Sequence, residues 1–444
     1  MDAAGLLLVL FTLIISTNNA DSRKGSADFL GIKQDFGYVD VRAKAHMFWW
    51  LQYSQSPHGH ENVPLIMWLQ GGPGGSSTGF GNFGELGPFD EDLKPRNTTW
   101  LSVASLLFVD NPVGAGYSYV DSDDAFTTDV NMIASDMMVL LTAFFNSAAG
   151  QNFQDIPFYI FCESYGGKMT AAISRSLYQA MSVGQIKVNF KGLALGDSWI
   201  SPIDSTLGWA PFILTNSIID ESGYYKINDA AQKMSKMIGE GMWTEATTQW
   251  GIVQDILETE SNGVNFYNML EWGGSETSHL KKYSGLKERM INRMIGPLQA
   301  DKLTTLMNGP IKKMLNIPEN VVWGGQSDKV FVYQAEDFMK PVVDIVDYLI
   351  KNTSLSVVVY TGQLDIIVAT PGTEKWITQL SIYNDYFNAT RVPLYDPFTK
   401  LTTAFYKTVR NFSVYWILDA GHMVPLDNGN AALEMVKRVI TKKL

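Results

Sequence analysis

The sequence predicts an α/β fold: a mostly parallel central sheet with helices on both faces and a helical cap inserted late in the chain. Three observations carry this. Short apolar runs of strand length alternate with stretches of helical spacing. Apolar residues make up 46% of the 444 residues against 18% charged, with 12 Trp, 19 Tyr and 23 Phe, which is the composition of a large buried core. A polar, helical stretch with scattered Met and Trp then breaks the alternation between residues 201 and 334. The expected organisation is a core of residues 21–200 and 335–444 interrupted by a cap of 201–334.

The elements follow in order. Residues 36–53 (FGYVDVRAKAHMFWWLQY) read as two antiparallel strands around a polar turn, with His46 placed in that turn. Residues 64–69 (PLIMWL) and 104–109 (ASLLFV) are short buried strands. Residues 129–145 have helical spacing behind an acidic start. Residues 156–161 (IPFYIF) form a buried strand that runs directly into a helix at 168–181. Further strand runs lie at 192–195, 355–360 and 414–418, and an amphipathic helix closes the chain at 431–443.

Charge and composition exclude several classes. The net charge is −11 with no block of basic residues, so nucleic acid is not an expected partner. Residues 5–15 are apolar but too short to span a bilayer, and Ala20 follows a polar run, so residues 1–20 read as a signal peptide. No later apolar run reaches 18 residues, so no membrane anchor is expected. Sequons at Asn97, Asn352, Asn388 and Asn411 agree with passage through the secretory pathway, to a secreted or lysosomal destination. Cys162 is the one cysteine and cannot bridge within the chain; it reads as a small residue ending a buried strand.

The chemistry gathers where strands end. Cys162-Glu163-Ser164-Tyr165-Gly166-Gly167 joins the strand IPFYIF to a helix, the setting in which a sharp turn presents a nucleophilic serine. A serine that merely caps the helix fits this hexapeptide equally well. A nucleophile needs a base, and the chain has five histidines. His58 and His60 lie in a polar loop and His279 in a polar helical stretch. His422 instead follows the buried run VYWIL, at the sheet edge where open α/β sheets place ligands. Asp365 follows another strand. The order Ser164, Asp365, His422 is that of the α/β-hydrolase fold. The loop Gln70-Gly71-Gly72-Pro73-Gly74-Gly75, glycine at four of five positions from 71 to 75, lets backbone N–H groups approach an oxyanion. No metal or cofactor is expected.

These blocks resemble the serine carboxypeptidase family: LQGGPGGSS from Leu69, ELGP from Glu85, DNPVGAGYSY from Asp110, ESYGGK from Glu163, LALGDSWISP from Leu193, GQLD from Gly362 and GHMVP from Gly421. They cover nearly the whole chain after residue 38. The resemblance implies an exopeptidase that removes C-terminal residues from peptides and proteins through an acyl-enzyme on Ser164. It assigns the oxyanion N–H groups to Gly72 and Tyr165, and the substrate's terminal carboxylate to Gln70, Gly71, Glu85 and Glu163. Two ionised glutamates facing a carboxylate would repel it, so acidic pH, which lets them donate hydrogen bonds, is expected to favour activity. Two departures stand out: Gln70 replaces the family's usual asparagine, and the family's common disulfides are absent. Acyl transfer on the same triad and a non-catalytic binding role are the rival readings.

Overall fold

The computed structural model describes residues 24–271 and 285–441; the expected signal peptide and His279 lie outside them. The chain opens with an antiparallel meander, β1 (Lys24–Phe29), β2 (Ile32–Arg42) and β3 (Ala45–Gln52). β4 (Leu65–Leu69), β5 (Ser105–Val109), β6 (Tyr119–Val120), β7 (Pro157–Glu163) and β8 (Asn189–Gly196) follow. After a long helical segment come β9 (Ser356–Gly362), β10 (Val392–Tyr395), β11 (Thr402–Val409) and β12 (Phe412–Ile417). The strand order is β1-β2-β3-β5-β4-β7-β8-β9-β12-β11-β10, with β6 paired to β3. From β5 to β12 every neighbouring pair is parallel, and the antiparallel strands lie outside that block.

The period-2 geometry of a strand explains the two-sided core. In β4, Leu65, Met67 and Leu69 face one apolar layer while Ile66 and Trp68 face the other. On the first face lie helices α1 (Val130–Phe145) and α2 (Gly166–Ser182), through Ile133, Met137, Met169 and Ile173. On the second lies the closing helix Gly429–Thr441, through Met435, Val436 and Val439. Asp129 caps α1 by accepting the N–H groups of Asn131 at 2.8 Å and Met132 at 3.0 Å, which explains its acidic start.

Between β8 and β9 the chain builds α3 (Pro202–Thr215), α4 (Glu221–Gly239), α5 (Trp243–Glu260), α6 (Leu286–Ile295) and several shorter helices. Ser77–Leu86, after the glycine loop, is also helical, a wide-turn segment buried along its length. Four strands escaped the sequence reading: β1, β6, β10 and β11. They sit at the sheet's margins, where half-exposed strands carry no continuous apolar run. His46 lies on β3 and not in the preceding turn, held between Asp40 at 2.5 Å and Asp121 at 3.1 Å. Among the described residues no helix is long and apolar enough to cross a membrane.

Candidate active site

The parallel strands β7, β8, β9 and β12 are neighbours, so the residues after their C-terminal ends meet at one edge of the sheet. Ser164 follows β7 with φ at 60°, the left-handed region that costs any residue with a Cβ about 1–2 kcal/mol. The strain is held from both sides. Ser164 N–H donates to Gly196 O at 3.0 Å, and Trp199 N–H donates to Ser164 O at 2.9 Å. The elbow reading of the hexapeptide therefore fits better than the simple cap: α2 begins two residues later, and its first position is glycine because an added Cβ there would lie 2.6 Å from Leu69 O. Cys162 is fully buried on β7 with Sγ 3.4 Å from Ala194 O, and burial pushes its thiol up to about 11.

His422 and Asp365 follow β12 and β9. His422 Nδ1 lies 2.8 Å from Asp365 Oδ2, with both side chains at most 1% exposed. The main chain fixes this pair: His422 N–H donates to Tyr267 O at 2.7 Å, Gly421 N–H to Asp427 Oδ2 at 2.7 Å, and Val368 N–H to Asp365 Oδ1 at 3.2 Å. Burial lowers the His422 imidazole to about 4, so it stays neutral in mildly acidic water. The remaining link is open. His422 Nε2 is buried without a hydrogen-bond partner among the described residues, and it is not bonded to Ser164 Oγ. Such links commonly close only with substrate.

The glycine loop lies against the serine. A Cβ on Gly71 would sit 2.5 Å from Ser164 Cβ and 2.8 Å from Glu163 O, so only glycine lets the two segments touch. Gly72 has φ at 114°, again glycine territory. Gly75 N–H is spent on Gly71 O at 2.9 Å, but among the described residues the N–H groups of Gly72 and Tyr165 have no acceptor. Asp110 anchors the loop's far end, taking Ser76 Oγ at 2.8 Å, Thr78 N–H at 3.0 Å, Thr78 Oγ1 at 2.7 Å and Tyr117 N–H at 2.8 Å.

Gln70, Glu85 and Glu163 form a second cluster beside the serine. Trp68 Nε1–H donates to Gln70 Oε1 at 2.8 Å, which turns the Gln70 amide so that Nε2 donates to Glu163 Oε1 at 2.9 Å. The Glu85 and Glu163 carboxyls meet within hydrogen-bonding distance, both at most 2% exposed. A bond between two carboxyls requires a proton. Burial raises Glu85 to about 7, and burial plus the Glu85 charge raise Glu163 well above its ordinary value.

The sequence reading missed three contributors. Asp110 stands inside a block it quoted, but nothing in one sequence marks a carboxylate as a loop anchor. Tyr267, whose ring meets His422 edge-on at 5.1 Å, and Trp323, whose Nε1–H donates to Ser76 Oγ at 2.9 Å, come from the helical segment after β8. Their pairing is purely tertiary.

A parallel sheet of this order, with its reactive turn after a central strand, is the α/β-hydrolase fold. Within that fold the chain belongs to the serine carboxypeptidase family, whose model it matches over residues 25–442, and it is a serine-type carboxypeptidase. It is 49% identical over 449 residues to retinoid-inducible serine carboxypeptidase of Mus musculus, covering 99% of this chain and 97% of that one. It is 40% identical to serine carboxypeptidase-like 51 of Arabidopsis thaliana over 99% of both chains. Among solved structures, Kex1(delta)p, a prohormone-processing carboxypeptidase from Saccharomyces cerevisiae, superposes with a TM-score of 0.77 at 20% identity, covering 93% of this chain and 92% of the other. That likeness speaks for the fold.

Proposed function

We propose that Ser164 attacks the last peptide bond, that His422 takes its proton and returns it to the leaving amino acid, and that Asp365 holds the imidazole tautomer. The N–H groups of Gly72 and Tyr165 receive the oxyanion of the tetrahedral intermediate. Gln70, Gly71, Glu85 and Glu163 receive the substrate's free carboxylate. The observation that carries the exopeptidase reading is the contact between the two buried carboxyls next to the nucleophile. Glu85 Oε1, Glu85 Oε2 and Glu163 Oε2 have no conventional donor among the described residues. A protonated pair answers a carboxylate with hydrogen bonds where an ionised pair would repel it, so activity favours acidic pH.

Residues 201–334 act as a cap: Ile295, Leu298 and Val330 lie within 3.4 Å of Cβ positions built on Gly72, Gly74 and Gly75, which supports a wall over the oxyanion loop. The enzyme travels the secretory pathway to a secreted or lysosomal site, carrying glycans at the exposed Asn97, Asn352 and Asn388. Asn411 is a poorer acceptor, because its amide donates to the carbonyls of Ile350, Thr353 and Leu355. Paired peptides ending in a free acid or an amide test the reading. The acid is expected to react about 10- to 100-fold faster per lost contact. Equal rates would leave a general esterase or acyltransferase.

A further inference from the structure

The turn after β8 lies between the nucleophile and its acid partner. Gly196 O and Trp199 N–H brace Ser164, and the first of the two residues between them, Asp197, stands against Asp365. Asp197 adopts φ at 36°, a conformation that persists only where surrounding bonds enforce it. Its N–H donates to Tyr360 O at 2.9 Å, and its carboxyl accepts Gly362 N–H at 2.9 and 3.2 Å to its two oxygens. The side chain is 1% exposed and meets the Asp365 carboxyl within hydrogen-bonding distance.

Two carboxyls in contact and buried from solvent cannot both be ionised, and the bond between them needs one proton. The donors decide where that proton sits. Asp365 receives Val368 N–H and His422 Nδ1–H, whereas Asp197 receives Gly362 N–H alone. The negative charge belongs on Asp365 and the proton on Asp197.

We propose that Asp197 is a positioning residue of the hydrolytic site: protonated, it donates to Asp365 and holds that carboxylate against His422, and its ionisation disables the enzyme. The proposal rests on the triad reading of Ser164, Asp365 and His422. One Asp365 oxygen takes Val368 N–H and the other faces the imidazole, and the proton shared with Asp197 adds to what fixes the carboxylate's rotation. The same bond makes Asp365 a weaker base, so the proton taken from Ser164 stays on His422. The titratable groups facing Asp197 are Asp365 and His422, Glu163 at the end of β7, and Tyr360 on β9; Asp427 stands behind His422. Apart from an imidazolium, each ionises to a negative charge and so opposes ionisation of Asp197. Burial raises its carboxyl well above the ordinary value in the same direction.

Asparagine reproduces the protonated form, with Oδ1 accepting Gly362 N–H and Nδ2 donating to Asp365, yet it cannot ionise. The test measures kcat against pH on a neutral acyl ester with no free carboxylate, so that Glu85 and Glu163 are not read. Asp197→Asn is expected to stay within about tenfold of wild type in acid and to hold its rate where wild type declines at alkaline pH; Asp197→Ala is expected to lose about 10- to 100-fold at every pH. A wild-type alkaline limb in Asp197→Asn, or wild-type turnover in Asp197→Ala, overturns the proposal. A second readout needs only folded wild-type protein: the downfield proton resonance of His422 Nδ1–H should shift as Asp197 ionises. A resonance unmoved across the alkaline limb overturns the proposal even if no variant folds. If Ser164→Ala still hydrolyses the ester, the triad reading fails first, and separately.

Discussion

Ser164 and Gly71 are two residues that depend on each other's size. One holds a strained φ, and the other leaves room for it. Ser164→Ala is therefore expected to keep the fold, since the backbone is braced by Gly196 and Trp199, while turnover falls by about 10⁴- to 10⁶-fold. A purified variant with a tenth of wild-type activity would remove Ser164 from the mechanism. Gly71→Ala forces its Cβ to 2.5 Å from Ser164 Cβ, so the loop or the serine must move. A shift of that kind is expected to cost about 100-fold in kcat/KM, checked with purified protein that still unfolds cooperatively. Cys162 is the contrasting case. Its full burial and raised thiol predict that alkylating reagents leave the folded enzyme's activity unchanged.

At the level of elements, α2 is pinned to the segment that precedes β9. Lys168, fully buried on α2, pairs with Asp337 Oδ2 at 3.0 Å and also donates to the Asp337 carbonyl, while Tyr165 OH donates to Asp337 Oδ2 at 3.0 Å. Removing one partner of a buried pair strands the other charge. Asp337→Ala should thus lose about 3–5 kcal/mol in urea unfolding, more than Lys168→Met, which strands the Asp337 carboxylate but leaves Tyr165 OH donating to it. Equal losses would mean the pair contributes packing and not charge compensation. The central strands were legible in the sequence because β4, β5, β7 and β9 are buried on both faces and read as continuous apolar runs. The helical segment's contacts were not. Trp323 reaches Ser76 across 247 positions, and no local pattern encodes such a meeting. The triad candidates were legible because each follows a strand that the sequence reading found, Ser164 after β7, Asp365 after β9 and His422 after β12. Asp197 follows one too, but a lone acid carries no mark until its neighbour is known to be Asp365.

The whole molecule concentrates protons in its interior. The fully buried Glu85, Asp110, Glu163 and Asp197 are all raised, chiefly by burial, so the folded chain keeps protons that the unfolded chain releases above about pH 4. Protons held by the folded state alone make stability fall as pH rises, up to about 7 for Glu85. His422, lowered to about 4, opposes this between that value and its ordinary 6.5, but it is one group against four. Thermal unfolding midpoints are expected to decline from mildly acidic to alkaline pH, and Glu163→Gln should flatten the decline; a flat wild-type profile would remove these carboxyls as the source. The same two values bound catalysis. With a base that is neutral above about 4 and a carboxyl pair that keeps its proton below about 7, kcat/KM on free-acid peptides should be bell-shaped between them.

The solitary cysteine has a consequence for where this fold can exist. With Cys162 alone in the sequence and sealed on β7, no covalent cross-link closes any part of the chain, and two-sided burial on the sheet must supply its stability. Glutathione and thioredoxin therefore have no bond to cut. The enzyme's melting temperature is expected to be the same with and without a strong reductant, and active protein is expected from a host cytosol as readily as from an oxidising lumen.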